Sequence, residues 1–327
     1  MIVYRSPVNT IHRADARQVA AEQEPGSFSL AVLDGPYGMR KAAWDMMKVS
    51  GLPEWYAPHL DDVDRLCAAS ASLYVWNTAE GWATLHPGIV ARGWTFRSLV
   101  TWNKPDGQAL KSGYEGGARC WPDVTEVCGF YQRVGIVQDC GLIAADIRDS
   151  DAGRALGVDS RLPALWRGWP HVHGSCWPSK DQFLAYASAA GRHLGGLIWM
   201  KRRPPVFKAP IGVSNVWTHG QVGGPERLRG EDGATLHPCQ KPITFADRII
   251  RASSRPGERV WVPFGGTCRE AVAAEWMARA EPAEARQVVT CEIDDDGRDY
   301  LGAVVRQLRG EDVRPRDPRQ ASLFGAA

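Results

Sequence analysis

No run among the 327 residues is long and apolar enough to span a bilayer, and no leader-like segment opens the chain, so a soluble cytoplasmic protein is expected, with no membrane partner. Cysteine is scarce and unpatterned. The eight present form no Cys-x-x-Cys pair and no regular framework, which points to free thiols in a reducing compartment. Net charge is nearly absent as well: 39 basic against 37 acidic side chains leave +2, so any nucleic-acid surface must be a local basic patch. The 14 tryptophans are the one excess, expected mostly as core or rim packing and in part as faces for stacking on bases. At this length the chain can bury a large core and hold one sizeable domain with an insertion.

What is present organises itself around Val32-Leu33-Asp34-Gly35-Pro36-Tyr37-Gly38. An apolar run from Phe28 to Leu33 ends abruptly in an acid, a glycine, a proline and an aromatic. That pattern reads as a buried strand delivering a tight turn at its C-terminal edge, where open α/β sheets bind ligands. Asp34 offers an acceptor, Pro36 restrains the turn and Tyr37 offers a flat face. An ordinary Asp-Gly turn would look the same in isolation.

Upstream, Asn9 to Ala16 alternates like a strand and ends in Asp15 before a short helix, where an Asp is equally a helix cap. Downstream, Met39 to Ser50 is polar and carries Trp44-Asp45, and helix signals run from Pro53 to Ala69. Ser72 to Trp76 predicts a second buried strand with Asn77 at its end, Phe96 to Trp102 a third, and Asp123 to Tyr131 a fourth. Lys241-Pro242 opens an amphipathic helix with Ile243, Ala246, Ile249 and Ile250 on one face. Val260 to Val262 is the next strand, and Gly265-Gly266 permits close approach of backbone to a ligand before a helix over 269–278. Val288 to Cys291 is the last central strand, with Glu292 at its tip able to accept hydrogen bonds from ribose hydroxyls. Alternating strands and helices predict an α/β fold with a doubly wound, mostly parallel sheet.

Composition changes over 141–194, where two short helices about a glycine turn and a third from Lys180 to Ala190 predict a small helical insertion. It would either contact DNA or simply cover the sheet. Lys201, Arg202, Arg203 and Lys208 form the densest basic run, either a solvated face or a set of phosphate contacts. From Arg309 the chain is rich in proline and charge, as a disordered tail would be.

Three segments in order carry a family resemblance: the Asp34 turn, then Leu236-His237-Pro238-Cys239-Gln240-Lys241-Pro242, then Val260 to Thr267 followed by Cys291-Glu292-Ile293-Asp294. Together they resemble the amino-methylating DNA methyltransferases that act on adenine N6 or cytosine N4. Placing the catalytic turn first and the cofactor loop last is the permuted arrangement called the beta class. The resemblance covers residues 9–135 and 196–310. It implies a Rossmann-like class I methyltransferase domain, permuted, built from 1–140 and 195–308, with 141–194 inserted for DNA recognition and 309–327 as tail. S-adenosylmethionine is the implied cofactor, contacted by Asp15, Ala16, Asp34, His237, Gln240, Lys241, Phe264, Gly265, Gly266, Thr267 and Glu292; no metal is required. Asp34, Gly35, Pro36 and Tyr37 are the implied catalytic set. Asp34 and the Gly35 carbonyl would accept the two amino protons of a flipped base, and Tyr37 would stack on it. DNA is the implied partner, bound in part by Lys201, Arg202, Arg203 and Lys208, and a homodimer is compatible with the family. An acid at the first turn position goes mostly with adenine and a serine mostly with cytosine.

This chain departs from the family pattern at three places. Gly35 replaces a proline, so a less rigid turn is expected. Val262 replaces an acid that helps organise the cofactor's amino-acid end. Cys268 stands where a second glycine is expected. Adenine-N6 methylation leads; cytosine-N4 methylation and a catalytically weakened DNA-binding partner subunit are the alternatives. The tail adds Gln320-Ala321-Ser322-Leu323-Phe324, similar to the short motif by which bacterial repair proteins hold the sliding clamp. Leu323 and Phe324 would fill an apolar pocket and Gln320 would bond at its rim; an arbitrary tail is the alternative.

Overall fold

The computed structural model describes residues 1–40, 42–105, 121, 123–133, 206–230, 232–293 and 297–311. In chain order the strands are β1 (Ile2–Arg5), β2 (Asn9–Arg13), β3 (Phe28–Leu33), β4 (Cys67–Asn77), β5 (Trp94–Asn103), β6 (Thr125–Arg133), β7 (Val216–Thr218), β8 (Arg259–Val262) and β9 (Gln287–Glu292). The α-helices are α1 (Ala16–Ala21), α2 (Leu52–Leu66), α3 (Ala79–Ala91), α4 (Ile243–Ser253), α5 (Arg269–Ala280) and α6 (Tyr300–Arg309).

The strands form one sheet in the order β1-β2-β9-β8-β3-β4-β6-β5-β7. Its centre is parallel, from β2 through β9, β8 and β3 to β4, while β6 runs antiparallel to both β4 and β5. From β3 the chain winds outward to β4, and from β8 it winds the other way to β9. The crevice between the carboxyl ends of β3 and β8 is therefore the topological switch point, where such sheets hold ligands.

Alternation within β3 explains the apolar run from Leu30 to Leu33. Leu30 and Val32 enter one core with α4, α5 and α6, whereas Ala31 and Leu33 enter the other with α1, α2 and α3. A strand covered on both faces needs apolar residues at every position. The expected strands and the doubly wound sheet are present. Boundaries moved at the α2–β4 junction, where a helix was expected to reach Ala69. Cys67 is extended (ψ 137°) and pairs with Phe28, so it and the following small residues join β4. Residues 300–309 carried no helix expectation, yet form α6, which buries Leu301, Val304 and Leu308. No helix among the described residues is long and apolar enough to cross a membrane. The insertion over 141–194, the basic Lys201, Arg202 and Arg203, and the tail residues Gln320, Leu323 and Phe324 lie outside the described residues.

Candidate active site

β3 ends at Leu33 and projects Asp34 into a cavity of about 300 Å³ at the switch point. Its far wall is the loop after β8, Pro263-Phe264-Gly265-Gly266-Thr267, and Asp15, Glu292 and Tyr300 close one end. The glycine at 35 reflects crowding: a Cβ there would lie 2.7 Å from the Tyr56 hydroxyl and 3.0 Å from the Phe264 ring. The turn is not left loose by the missing proline. Tyr56 Oη and Asn77 Nδ2 both donate to the Pro36 carbonyl at 3.3 Å, and the buried Asp45 accepts from the amides of Tyr37, Gly38 and Met39 at 2.8, 2.6 and 3.0 Å. Three amides on one carboxylate fix the turn backbone.

Asp34 itself sits in a ring of charge. Lys241 Nζ donates to both its oxygens at 2.9 Å and to the Tyr37 hydroxyl at 2.9 Å, and lies 3.1 Å from Glu126 Oε2. Tyr37 Oη is 2.7 Å from Asp34 Oδ1 and 3.2 Å from Glu126 Oε2, and its single proton serves one of them at a time. Lys104 pairs with the other Glu126 oxygen. Burial alone would raise Glu126, but the Lys241 and Lys104 charges outweigh it and hold the carboxyl down to about 2. Burial alone would lower Lys241, but Asp34 and Glu126 outweigh it and keep the ammonium protonated. Burial, then the Asp34 and Glu126 charges, push the Tyr37 hydroxyl up, so it stays neutral.

The glycine loop is shaped by equally close contacts. A Cβ on Gly265 would lie 2.5 Å from Thr290 Oγ1, and Gly266 adopts φ +49° while its amide donates to Glu292 Oε2. Glu292 also accepts from the Ile293 amide at 2.9 Å and Tyr300 Oη at 3.0 Å, which aims it along the cavity floor. Cys268 takes the left-handed conformation (φ 47°) that a glycine would take freely, at a cost of about 1 kcal/mol. Its buried side chain, 3.0 Å from where a Gly265 Cβ would stand, fills the space under the loop.

The structure brings together most residues expected from sequence: Asp15, Ala16, Asp34, Gly35, Pro36, Tyr37, His237, Lys241, Phe264, Gly265, Gly266, Thr267 and Glu292 all border this cavity. Asp15 borders the cavity and also caps α1, accepting from the Arg17 amide at 2.7 Å. His237 stacks on Trp44, and its Nδ1 accepts from the Cys239 amide. Burial and the nearby Lys241 charge take it to about 4, so it is neutral at pH 7. Lys241 stands with the Asp34 turn. Gln240 does not border the cavity; it is buried and clamps the preceding loop through the Leu228 amide (3.0 Å) and the Glu226 carbonyl (2.7 Å). Lys208 is exposed and away from the cavity walls. Sequence reasoning missed Glu126, Lys104, Tyr56, Arg269 and Glu270. For Glu126 the one available signal was a lone acid just ahead of the apolar stretch Val127 to Tyr131.

A family model described as DNA methylase matches residues 193–300. Type II methyltransferase M1.MboII of Moraxella bovis is 26% identical over 310 residues, covering 92% of this chain and 98% of that protein. Type II methyltransferase M.HinfI of Haemophilus influenzae is 28% identical over 109 residues, 33% of this chain and 28% of that protein. Among solved structures, PvuII DNA methyltransferase (cytosine-N4-specific) superposes with a TM-score of 0.57 at 13% identity, over 99% of this chain and 93% of that one, which supports a shared fold. With the three motifs in permuted order around one cavity, these matches support an amino-methyltransferase of the beta class.

Proposed function

We propose that this protein transfers a methyl group from S-adenosylmethionine to the N6 amino group of adenine in DNA, the base being flipped out of the duplex. The observation that carries the reading is the Asp34 carboxylate facing the glycine loop across one cavity at the switch point. The residues present fit the cofactor. The cavity is within the size range of small-molecule sites, carboxylates at Asp15 and Glu292 suit the hydroxyl and amino groups of a nucleoside, and a buried Arg269 nitrogen lacks a partner nearby. When bound, S-adenosylmethionine supplies an electrophilic methyl on a sulfonium.

An exocyclic amino nitrogen is a poor nucleophile because its lone pair is delocalised into the ring. Asp34 and the Gly35 carbonyl accept its two protons and so favour a pyramidal nitrogen whose lone pair faces the methyl. Lys241 and Tyr37 already donate to Asp34, so an entering amino group competes with them. Glu126, 3.1 Å from Lys241 Nζ, is the carboxylate onto which the ammonium withdraws. The Asp34 carboxylate then receives the released proton, directly or through water. Positioning in an enclosed cavity supplies most of the acceleration. Adenine is preferred over cytosine because the first position of the turn is an acid.

Incubating the purified protein with genomic DNA and labelled S-adenosylmethionine, then separating nucleosides, tests this. N6-methyladenine is expected, and Asp34→Ala abolishes it while folding and cofactor binding stay largely intact. N4-methylcytosine as the product would overturn the base assignment, and near-normal turnover in the variant would overturn the role of Asp34.

A further inference from the structure

We infer that Arg269 and Glu270, consecutive residues opening α5, form a clamp for the zwitterionic amino-acid arm of the cofactor, Arg269 taking the α-carboxylate and Glu270 the α-ammonium. This rests on the methyltransferase reading. The clamp takes the place of the acid missing at position 262, where Val262 is 1% exposed and packed in the core.

Arg269 is 3% exposed yet borders the cavity. Its Nε donates to the Thr267 carbonyl at 2.8 Å and its Nη2 to Gln307 at 3.1 Å, but its buried Nη1 has no hydrogen-bond partner. An unpaired buried N–H is costly; Arg92 Nε and Arg286 Nε lack a hydrogen-bond partner as well, but neither residue borders the cavity, as Arg269 does. Glu270 borders the same cavity, and among the described residues its carboxylate has no hydrogen-bond or ion-pair partner in another residue. The two side chains do not form an ion pair with each other. A cation and an anion are thus held side by side at the cavity wall, each short of a partner.

The chemistry of the ligand says what they face. A sulfonium carries three arms. Its nucleoside arm belongs between Asp15 and Glu292, and its methyl must point at Asp34. The third arm is left with the wall formed by the glycine loop and the first turn of α5, where Arg269 and Glu270 stand. The positive end of the α5 dipole favours the carboxylate there as well. Burial pushes Glu270 up to about 7, and the Asp34 charge adds to the push; its own amide, Arg269 and Lys241 pull it back. An ammonium placed against it would favour the ionised form.

Calorimetric binding to the purified full-length protein decides it, with S-adenosylmethionine, its decarboxylated analogue and methylthioadenosine, which lacks the arm. The wild type should prefer S-adenosylmethionine over the decarboxylated analogue by about tenfold or more, the worth of a charge-assisted pair. Arg269→Met should bring the two within about threefold, and Arg269→Lys, which keeps the charge but loses the fork, should fall between. Glu270→Gln should weaken both amine-bearing ligands and leave methylthioadenosine unchanged. A wild type that binds both sulfonium ligands equally overturns the clamp without any variant, and so does a preference untouched by both Arg269 replacements. A folded wild type that binds no S-adenosylmethionine sinks the methyltransferase reading itself, whereas binding with no carboxylate preference sinks only the clamp.

Discussion

Glu270→Gln offers a test of the cavity's electrostatics that needs neither cofactor nor DNA. The carboxyl is held at about 7 against an ordinary 4.5, first by burial and next by the Asp34 charge. A raised carboxyl favours the folded state while it is protonated. Its contribution is complete below 4.5 and is lost as the pH rises through about 7. That difference, at 1.36 kcal/mol for each tenfold change in proton affinity, sets an upper bound of about 3.4 kcal/mol, and relaxation around a partly exposed side chain reduces it to about 2 kcal/mol. Glutamine keeps the shape without the charge. In urea denaturation without ligand, wild type and variant should differ by a nearly constant amount below about pH 4. By pH 8 the variant should gain about 2 kcal/mol relative to wild type. His237, at about 4, does not titrate from about pH 5 to pH 8. Comparing the two proteins at each pH cancels the other titrating groups. A gap that stays the same from pH 5 to pH 8 would refute the reasoning.

Gly35→Ala places a Cβ 2.7 Å from Tyr56 Oη and 3.0 Å from Phe264, and should cost about 1–3 kcal/mol in urea denaturation. The cost should shrink in a Tyr56→Phe background, where the nearer contact is gone; an equal cost in both backgrounds would rule out that contact. Neutralising Arg202 and Arg203 should weaken DNA binding at all sequences and flatten its salt dependence, read from titrations at several salt concentrations. A slope that does not change would place those charges off the DNA. A peptide of residues 314–327 should bind purified sliding clamp, and replacing both Leu323 and Phe324 with alanine should remove the binding. No binding by the unmutated peptide or the full-length protein would end the tail assignment.

Sequence alone determined the parts of this protein that are short-range or periodic. A short apolar run such as Leu30 to Leu33, ending abruptly in a turn, reads as a strand covered on both faces, which the packing bears out. The glycine pair at 265–266 signalled a backbone able to approach something closely or to take a positive φ. Motif order was equally legible, and with it the permuted fold, because order is a one-dimensional property. Local pattern was silent where a residue's meaning depends on a distant partner. Asp34 meets Lys241 across 207 positions and Tyr37 meets Glu126 across 89, so the charge ring exists only once β3, β6 and the loop before α4 converge. Gln240 and Lys241 are neighbours in one motif, yet one staples a loop and the other donates to the Asp34 carboxylate. Successive side chains on a turn point in different directions, and only the surrounding packing decides what each one meets. Gly35 shows the same division. Its identity suggested a looser turn, but Tyr56 and Phe264, 21 and 229 residues on, leave no room for a side chain and hold the turn in place.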